Sequence, residues 1–160
     1  MTTDNSLPHL KSNCTFILWG DDFDEESASI FATEFRRIGL RVKIVGVNGP
    51  SASGAHGLTI RPDMTLGDAL PLAPSSSCII LPCGLGTIRR IQEDPRVLHF
   101  LQTAAENCAQ FIGSQEQLLK QSALEQLNNG TSRWDFYQHE ENLIEFAIKK
   151  ASKLMNHLIG

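Results

Sequence analysis

Residues 15–47 read TFILWGDDFDEESASIFATEFRRIGLRVKIVGV, and the order of patterns in this stretch decides the fold. TFILW, residues 15–19, is a short unbroken apolar run that stops at Gly20-Asp21-Asp22, a turn followed by a helix N-cap. Such a run marks a strand buried on both faces and feeding a helix. Phe31, Phe35 and Ile38 then recur at spacings of four and three, Glu25, Glu26 and Glu34 face elsewhere, and Gly39 closes the helix. RVKIVGV, residues 41–47, predicts a second strand. Strand, crossover helix, strand is the unit from which parallel sheets are built.

Working outward, NGPSASGAHG at 48–57 reads as a surface loop, and LTIRPD with the turn at Asp63 to Asp68 as an excursion at the sheet edge. PLAPSSS at 71–77 reads as another loop before CIILP, residues 78–82, a third buried strand. Asp94-Pro95 pairs an N-cap with proline at the first helical position, and Val97, Leu98, Leu101, Ala104 and Ala105 give that helix one apolar face. CAQFIG at 108–113 predicts a fourth strand, with SQEQLLKQSALEQL a helix running directly out of it. Residues 140–159 carry Ile144, Ala147, Ile148, Ala151, Leu154, Met155 and Leu158 at helical spacing. The expected fold is a three-layer α/β/α sandwich with a mainly parallel, flavodoxin-like sheet. Residues 14–160 form a single domain behind a flexible N-terminal segment, 1–13. Sites in such folds lie at the carboxyl ends of the strands, here Gly20 to Asp24, Pro82 to Thr87 and Gly113 to Gln115.

Composition narrows the function. The chain has 160 residues, 14 Lys+Arg against 18 Asp+Glu and a formal net charge of -4, with its basic residues scattered in pairs. No phosphate-tracking stripe exists, so nucleic acid is not an expected partner. Nor is a membrane, since no apolar stretch approaches the ~18 residues a span needs. Residues 1–13 lack a basic n-region and an apolar h-region, so the expected location is the cytoplasm. Cys14, Cys78, Cys83 and Cys108 are then expected reduced. No CxxC occurs and the five histidines lie apart from the cysteines, so no metal site is expected. Gly84-Leu85-Gly86-Thr87 lacks the lysine of a P-loop and the third glycine of a dinucleotide fingerprint, and no cofactor is expected.

The run from TFILWGDDFDEES through FRRIGLRVKIVGV resembles the opening strand, helix and strand of the ThiJ/PfpI family, part of the class I glutamine amidotransferase-like superfamily. IRPDMTLGDAL and IILPCGLGTIRRIQEDPRVLHFLQTAA are similar to that family's aspartate-containing turn, its Pro-Gly-Gly loop and the following helix. The resemblance covers roughly residues 15–125 and rests on the order of several weak matches. It implies a nucleophilic cysteine on a sharp strand-to-helix elbow, where the helix N-terminus lowers a thiol pKa below ~8.5. Gly113 stands at that place, with Ser114 after it. Glycine tolerates the positive-φ backbone of such an elbow but cannot attack a carbonyl. The family's acid after the first strand falls on Ser27, or on Glu26 with a one-residue slip. A histidine found beyond the elbow helix in one subgroup falls near Arg133. With residues 126–142 alone before the last helix, the chain reads as trimmed on the active-site side.

These losses imply a catalytically degenerate binding or regulatory module acting as a homodimer, with a small metabolite or a protein as partner. Its pocket is expected to gather Asp24, Glu26, Cys83, Gly84, Gly113 and Ser114. The alternative is a thiol-dependent hydrolase, lyase or redox sensor using Cys83, whose thiolate the Gly84 and Leu85 amides and the helix beginning near Thr87 would stabilise. A plainer reading of Cys83 is a small buried residue at a strand end. Ser114 is expected to cap the elbow helix, and the acidic residues 21–26 to complement a helix dipole rather than to bind a cation. Trp19, Trp134, Phe136 and Tyr137 read either as core or as interface anchors.

Overall fold

The first strand, β1 (Cys14–Trp19), is buried along its whole length and hydrogen-bonds in parallel to a neighbour on each side. That is why it reads as a continuous apolar run rather than an alternation. We describe a computed structural model, which defines residues 13–127, 133–140 and 142–159. All but Asn13 of the predicted N-terminal segment lies outside the described residues. From β1 the chain enters helix α1 (Glu25–Ile38) and returns as β2 (Val42–Gly46). Gly39 ends α1 at φ 105°, the left-handed conformation that glycine adopts without a Cβ penalty.

The segment 48–57 is not wholly a loop, because β3 (Ala52–Ser53) pairs antiparallel with β4 (Thr59–Ile60). The edge excursion is borne out, with β5 (Met64–Thr65) adding to β2 ahead of the short helix α2 (Leu66–Ala69). Residues 70–75 form 3-10 turns instead of the expected loop, and β6 (Ser76–Leu81) begins two residues early. Then follow α3 (Leu85–Ile91), α4 (Pro95–Glu106) and β7 (Gln110–Gly113). Asp94 caps α4 through the Arg96 amide, as the Asp-Pro pair predicts.

The predicted helix 114–127 is broken into α5 (Gln117–Lys120) and a 3-10 segment, Ala123–Leu127. Beyond it lies an unpredicted strand, β8 (Arg133–Phe136), before the terminal helix α6 (Leu143–Ile159). Strand order is β5-β2-β1-β6-β7-β8, parallel throughout. Helix α1 packs against α6, while α4 packs against α2 and the 3-10 turns that follow it. The result is a three-layer α/β/α sandwich. Its core centres on Phe16, Ile17, Leu18, Ile79 and Ile80, all of them buried. No helix among the described residues is long and apolar enough to cross a membrane.

From β1 the chain moves outward to β2, and from β6 it moves outward the other way to β7. Loops leaving adjacent strands in opposite directions open a crevice at their carboxyl ends. The candidate site lies in that crevice.

Candidate functional site

The loop after β1 is set by close approaches. A Cβ on Gly20 would lie 2.6 Å from Val47 Cγ2 and closer still to Asn48 Oδ1, so no larger residue fits there. Asp22 then takes φ 66°, a left-handed turn that Asp tolerates better than most residues. Arg90 Nη1 holds Asp22 Oδ2 at 2.9 Å, and its Nη2 donates to the Asp21 carbonyl at 2.6 Å. The N-cap of α1 falls at Asp24, whose carboxylate accepts from the Glu26 amide and from the Ser27 hydroxyl. The Asp24 amide donates to the Pro82 carbonyl at 2.8 Å, which ties this loop to the end of β6.

Glu25 turns the other way. It is buried, and its carboxylate accepts from the amides of His56 (2.9 Å) and Leu58 (3.1 Å) and contacts His56 Nδ1 at 2.6 Å. Burial disfavours its charge, yet these donors outweigh burial and hold its pKa below the usual carboxylate value. Glu25 is therefore the anchor of the β3–β4 hairpin, a role beyond the expected dipole complement. Asp24, Glu25 and His56 come within 4.8 Å of one another through ligand-type atoms. The Glu25 oxygens, however, are already committed to the hairpin.

At the end of β6 the Cys83 amide donates back to the Leu81 carbonyl at 2.9 Å, and Cys83 is 3% exposed. Burial pushes its thiol pKa far up, with Arg90 opposing weakly. Gly84 caps α3 without any side-chain bond, and the helix begins at Leu85 rather than near Thr87.

At Gly113 the structure corrects the expected elbow. Gly113 is the last residue of β7, paired in register with Leu81 on one side and Phe136 on the other. Positive φ occurs at Gly39, Gly49 and Gly57 among the described glycines, not at Gly113. The chain does leave the sheet here, bending at Ser114 before α5, but Gly113 itself stays in the ladder: the Tyr137 amide of the segment after β8 donates to its carbonyl at 3.2 Å, which holds it extended. A Cβ on Gly113 would meet Leu118 Cδ1 at 3.2 Å and Phe136 Cε1 at 3.3 Å, so apolar atoms crowd the space a side chain would use. Ser114 is not a helix cap either. Its hydroxyl donates to the Cys83 carbonyl at 2.7 Å, and α5 starts three residues later with no side-chain cap.

The register of β8 also moves the position expected to face the elbow. Arg133 opens the strand at the amino edge, and Tyr137 is the residue that emerges at the carboxyl edge. Tyr137 is buried between Phe31 and Phe146, with ring centroids 5.3 and 6.3 Å away. Its hydroxyl lies beside Ser27, Asp24 and Cys83, makes no hydrogen bond of ordinary geometry, and has its pKa raised by burial. Trp19 is also core, with its Nε1 donating to the Ala52 carbonyl at 3.3 Å. Trp134 stacks between Phe111 and Phe136.

The result is a cleft of about 260 Å³ lined by Asp22, Asp24, Ala55, Cys83, Gly84, Ser114, Gln115, Tyr137 and Gln138. Of the expected pocket residues, Asp24, Cys83, Gly84 and Ser114 meet there. Gly113 lies beneath it and Glu26 is exposed away from it, which leaves Ser27, buried and bonded to Asp24, on the inner side of α1. Gln115 falls at a strand end expected to carry the site, whereas sequence reasoning missed Ala55 and Gln138 and left Tyr137 undecided. An isolated aromatic run, WDFY, was the signal available for β8.

This parallel sandwich with a crevice between β1 and β6 is matched by a known family. The DJ-1/PfpI family profile matches residues 14–140, and the chain belongs to that family. No curated protein sequence matches it significantly. Among solved structures it is similar to a cysteine-to-alanine mutant of the DJ-1 superfamily protein STM1931 from Salmonella typhimurium, with a TM-score of 0.71 at 14% identity over 89% of this chain and 90% of that one. Drosophila melanogaster DJ-1beta gives 0.68 at 18% identity over 89% and 90%. Oxidized Toxoplasma gondii DJ-1 gives 0.68 at 15% over 91% and 97%. At these identities the likeness is one of fold.

Proposed function

We propose that this chain is a catalytically degenerate DJ-1/PfpI domain that works in the cytoplasm as a homodimeric binding or regulatory module, taking a small metabolite in the β1/β6 cleft or a protein partner on its surface. The observation that carries this reading is the filled site at Gly113: the position matched to the family's nucleophile has no side chain, and Leu118 and Phe136 crowd the space one would occupy. Two further features support it. Ser27 replaces the acid, and Tyr137 stands at the carboxyl edge where a histidine would be needed. Neither side chain is a base at neutral pH. The cleft above remains open, with mostly apolar walls and a few polar groups among them, which suits binding of a small molecule.

Purified protein is expected to leave small carbonyl and amide compounds unchanged, to elute as a dimer by size-exclusion light scattering, and to retain a ligand or partner in pull-down. Turnover that is abolished by altering one side chain in the cleft would sink the reading, as would a strict monomer with no partner. The competing reading is a thiol-dependent hydrolase, lyase or redox sensor, and the place of Cys83 in the cleft speaks for it. The burial that raises its thiol pKa weighs against it, because the thiolate is the reactive form.

A further inference from the structure

Asp24 and Asp22 are the carboxylate residues in the cleft lining, and no basic side chain lines it. Arg90 neutralises Asp22 with a 2.9 Å ion pair. Asp24 forms no ion pair of that kind among the described residues: its carboxylate takes the Glu26 amide and the Ser27 hydroxyl, both neutral donors, and the His56 ring, within 4.8 Å, is bonded to Glu25. An ionised carboxylate offers about four lone-pair sites, so Asp24 keeps acceptor capacity in hand. Beside it the Tyr137 hydroxyl, on a residue 8% exposed, has no hydrogen-bond partner of ordinary geometry, and the neighbouring Ser27 hydroxyl gives its proton to Asp24. A buried polar group left in that state is costly and marks a place for a missing partner. The remaining walls are Ala55, Cys83 and Gly84, with the hydroxyl of Ser114 and the amides of Gln115 and Gln138.

From this juxtaposition we infer that the cleft selects a small organic cation, a primary amine on a short apolar body, with its ammonium bonded to the Asp24 carboxylate and the Tyr137 hydroxyl oxygen. An ammonium has three donors and no acceptor, which matches that carboxylate and one unpaired hydroxyl. A carboxylate-bearing ligand would meet the Asp24 charge, while the Arg90 guanidinium is already engaged by Asp22 and the His56 ring by Glu25. The inference rests on the proposal that the cleft is a binding site, and it adds the ligand's charge.

Isothermal titration calorimetry of the full chain at neutral pH with n-butylamine, n-butanol and butyrate separates the two. We expect saturable binding of the amine at least about tenfold tighter than the alcohol, the worth of a charge-assisted hydrogen bond, with no binding of butyrate. Asp24→Asn, which keeps a good helix cap, should weaken amine binding by about tenfold or more. Tyr137→Phe should weaken it less, with circular dichroism reporting that both variants stay folded. If alcohol or butyrate binds as well as the amine, the cleft stands as a binding site and the cationic preference is wrong. The inference also fails if the amine does not bind, or binds Asp24→Asn as tightly as the parent.

Discussion

Cys83 and Cys108 stand at opposite edges of one parallel sheet, and they differ in almost every respect that governs a thiol. Cys83 follows the carboxyl end of β6, buried against the crevice, with its pKa pushed up by desolvation. Cys108 is exposed in the turn before the amino end of β7, at φ 64°, beside a hollow of about 490 Å³ that Arg133 and His157 also line. The edge that the fold reserves for chemistry therefore holds the protected thiol, and the opposite edge holds the accessible one. Location in the family's crevice does not by itself make a thiol accessible when the side chain has been packed away from solvent.

The largest effect expected from this contrast is in labelling. Brief iodoacetamide treatment of the native protein should modify Cys108 at least about 100-fold faster than Cys83 or Cys78, since the buried pair is reached only through opening of the structure. Peptide mass spectrometry reads the ratio. Comparable rates, with Cys83 showing an apparent pKa under ~8.5, would restore the thiol-dependent reading.

Next comes restoration of the missing thiol. Gly113→Cys places a Cβ and Sγ against Leu118 and Phe136, and overpacking of this kind costs about 1–3 kcal/mol in urea unfolding. No carbonyl or amide turnover should accompany it, because Ser27 and Tyr137 stand where the family pattern calls for the acid and the histidine. A Gly113→Cys protein as stable as the parent, with a rapidly labelled new thiol, would mean that the apolar filling is not what closes this position.

A milder effect concerns the hairpin beside the crevice. The Glu25 pKa is lowered in the folded protein, chiefly by His56, so its contribution to stability is present above the unfolded value of ~4.3 and is lost as pH falls through that value toward the folded one. Acidification below about pH 4 should therefore lower the exchange protection, relative to the unfolded chain at the same pH, at the His56 and Leu58 amides before it does so in β1. Glu25→Gln should speed that exchange at neutral pH and flatten its acid dependence. Unchanged exchange at both amides in the variant would show that the hairpin is held by other contacts.

These contrasts also mark what could be read from the chain. The strands β1, β2 and β6 were legible because strands near the middle of a parallel sheet carry apolar residues on both faces. The caps at Gly39 and Asp94 were legible because their chemistry is local. Strand β8 was not, since RWDF is four partly exposed residues whose placement depends on pairing with β7, and two-residue strands such as β3 and β4 carry no period at all. The expected strand-to-helix turn is present, with the bend at Ser114, but the positive φ expected at Gly113 is not, for the same reason. Resemblance placed a bend at Gly113, but its conformation is set by Leu81 on one side and Phe136 on the other, partners 32 and 23 residues away in sequence. At the site, Asp24, Cys83, Gly84 and Ser114 follow from knowing that strand ends converge, whereas Tyr137 becomes visible as a site residue once β8 is known.

The smallest of the expected effects tests how the two strand ends are joined. Ser114 lies 31 residues from Cys83, and its hydroxyl reaches the Cys83 carbonyl at 2.7 Å with Ser114 itself half-buried. If that bond fixes the Pro82 to Gly84 turn, Ser114→Ala should cost about 1 kcal/mol by denaturant midpoint, the ordinary net worth of one intramolecular hydrogen bond. The same substitution should raise the slow labelling rate of Cys83 by up to about fivefold, since 1 kcal/mol of local stability corresponds to that factor when opening limits access. The labelling of Cys108, on the far edge, should not move. Had Ser114 instead been a helix cap, the loss would appear as fraying of α5, read as faster exchange at the Leu118 and Leu119 amides with Cys83 as protected as before, so the two roles leave opposite traces.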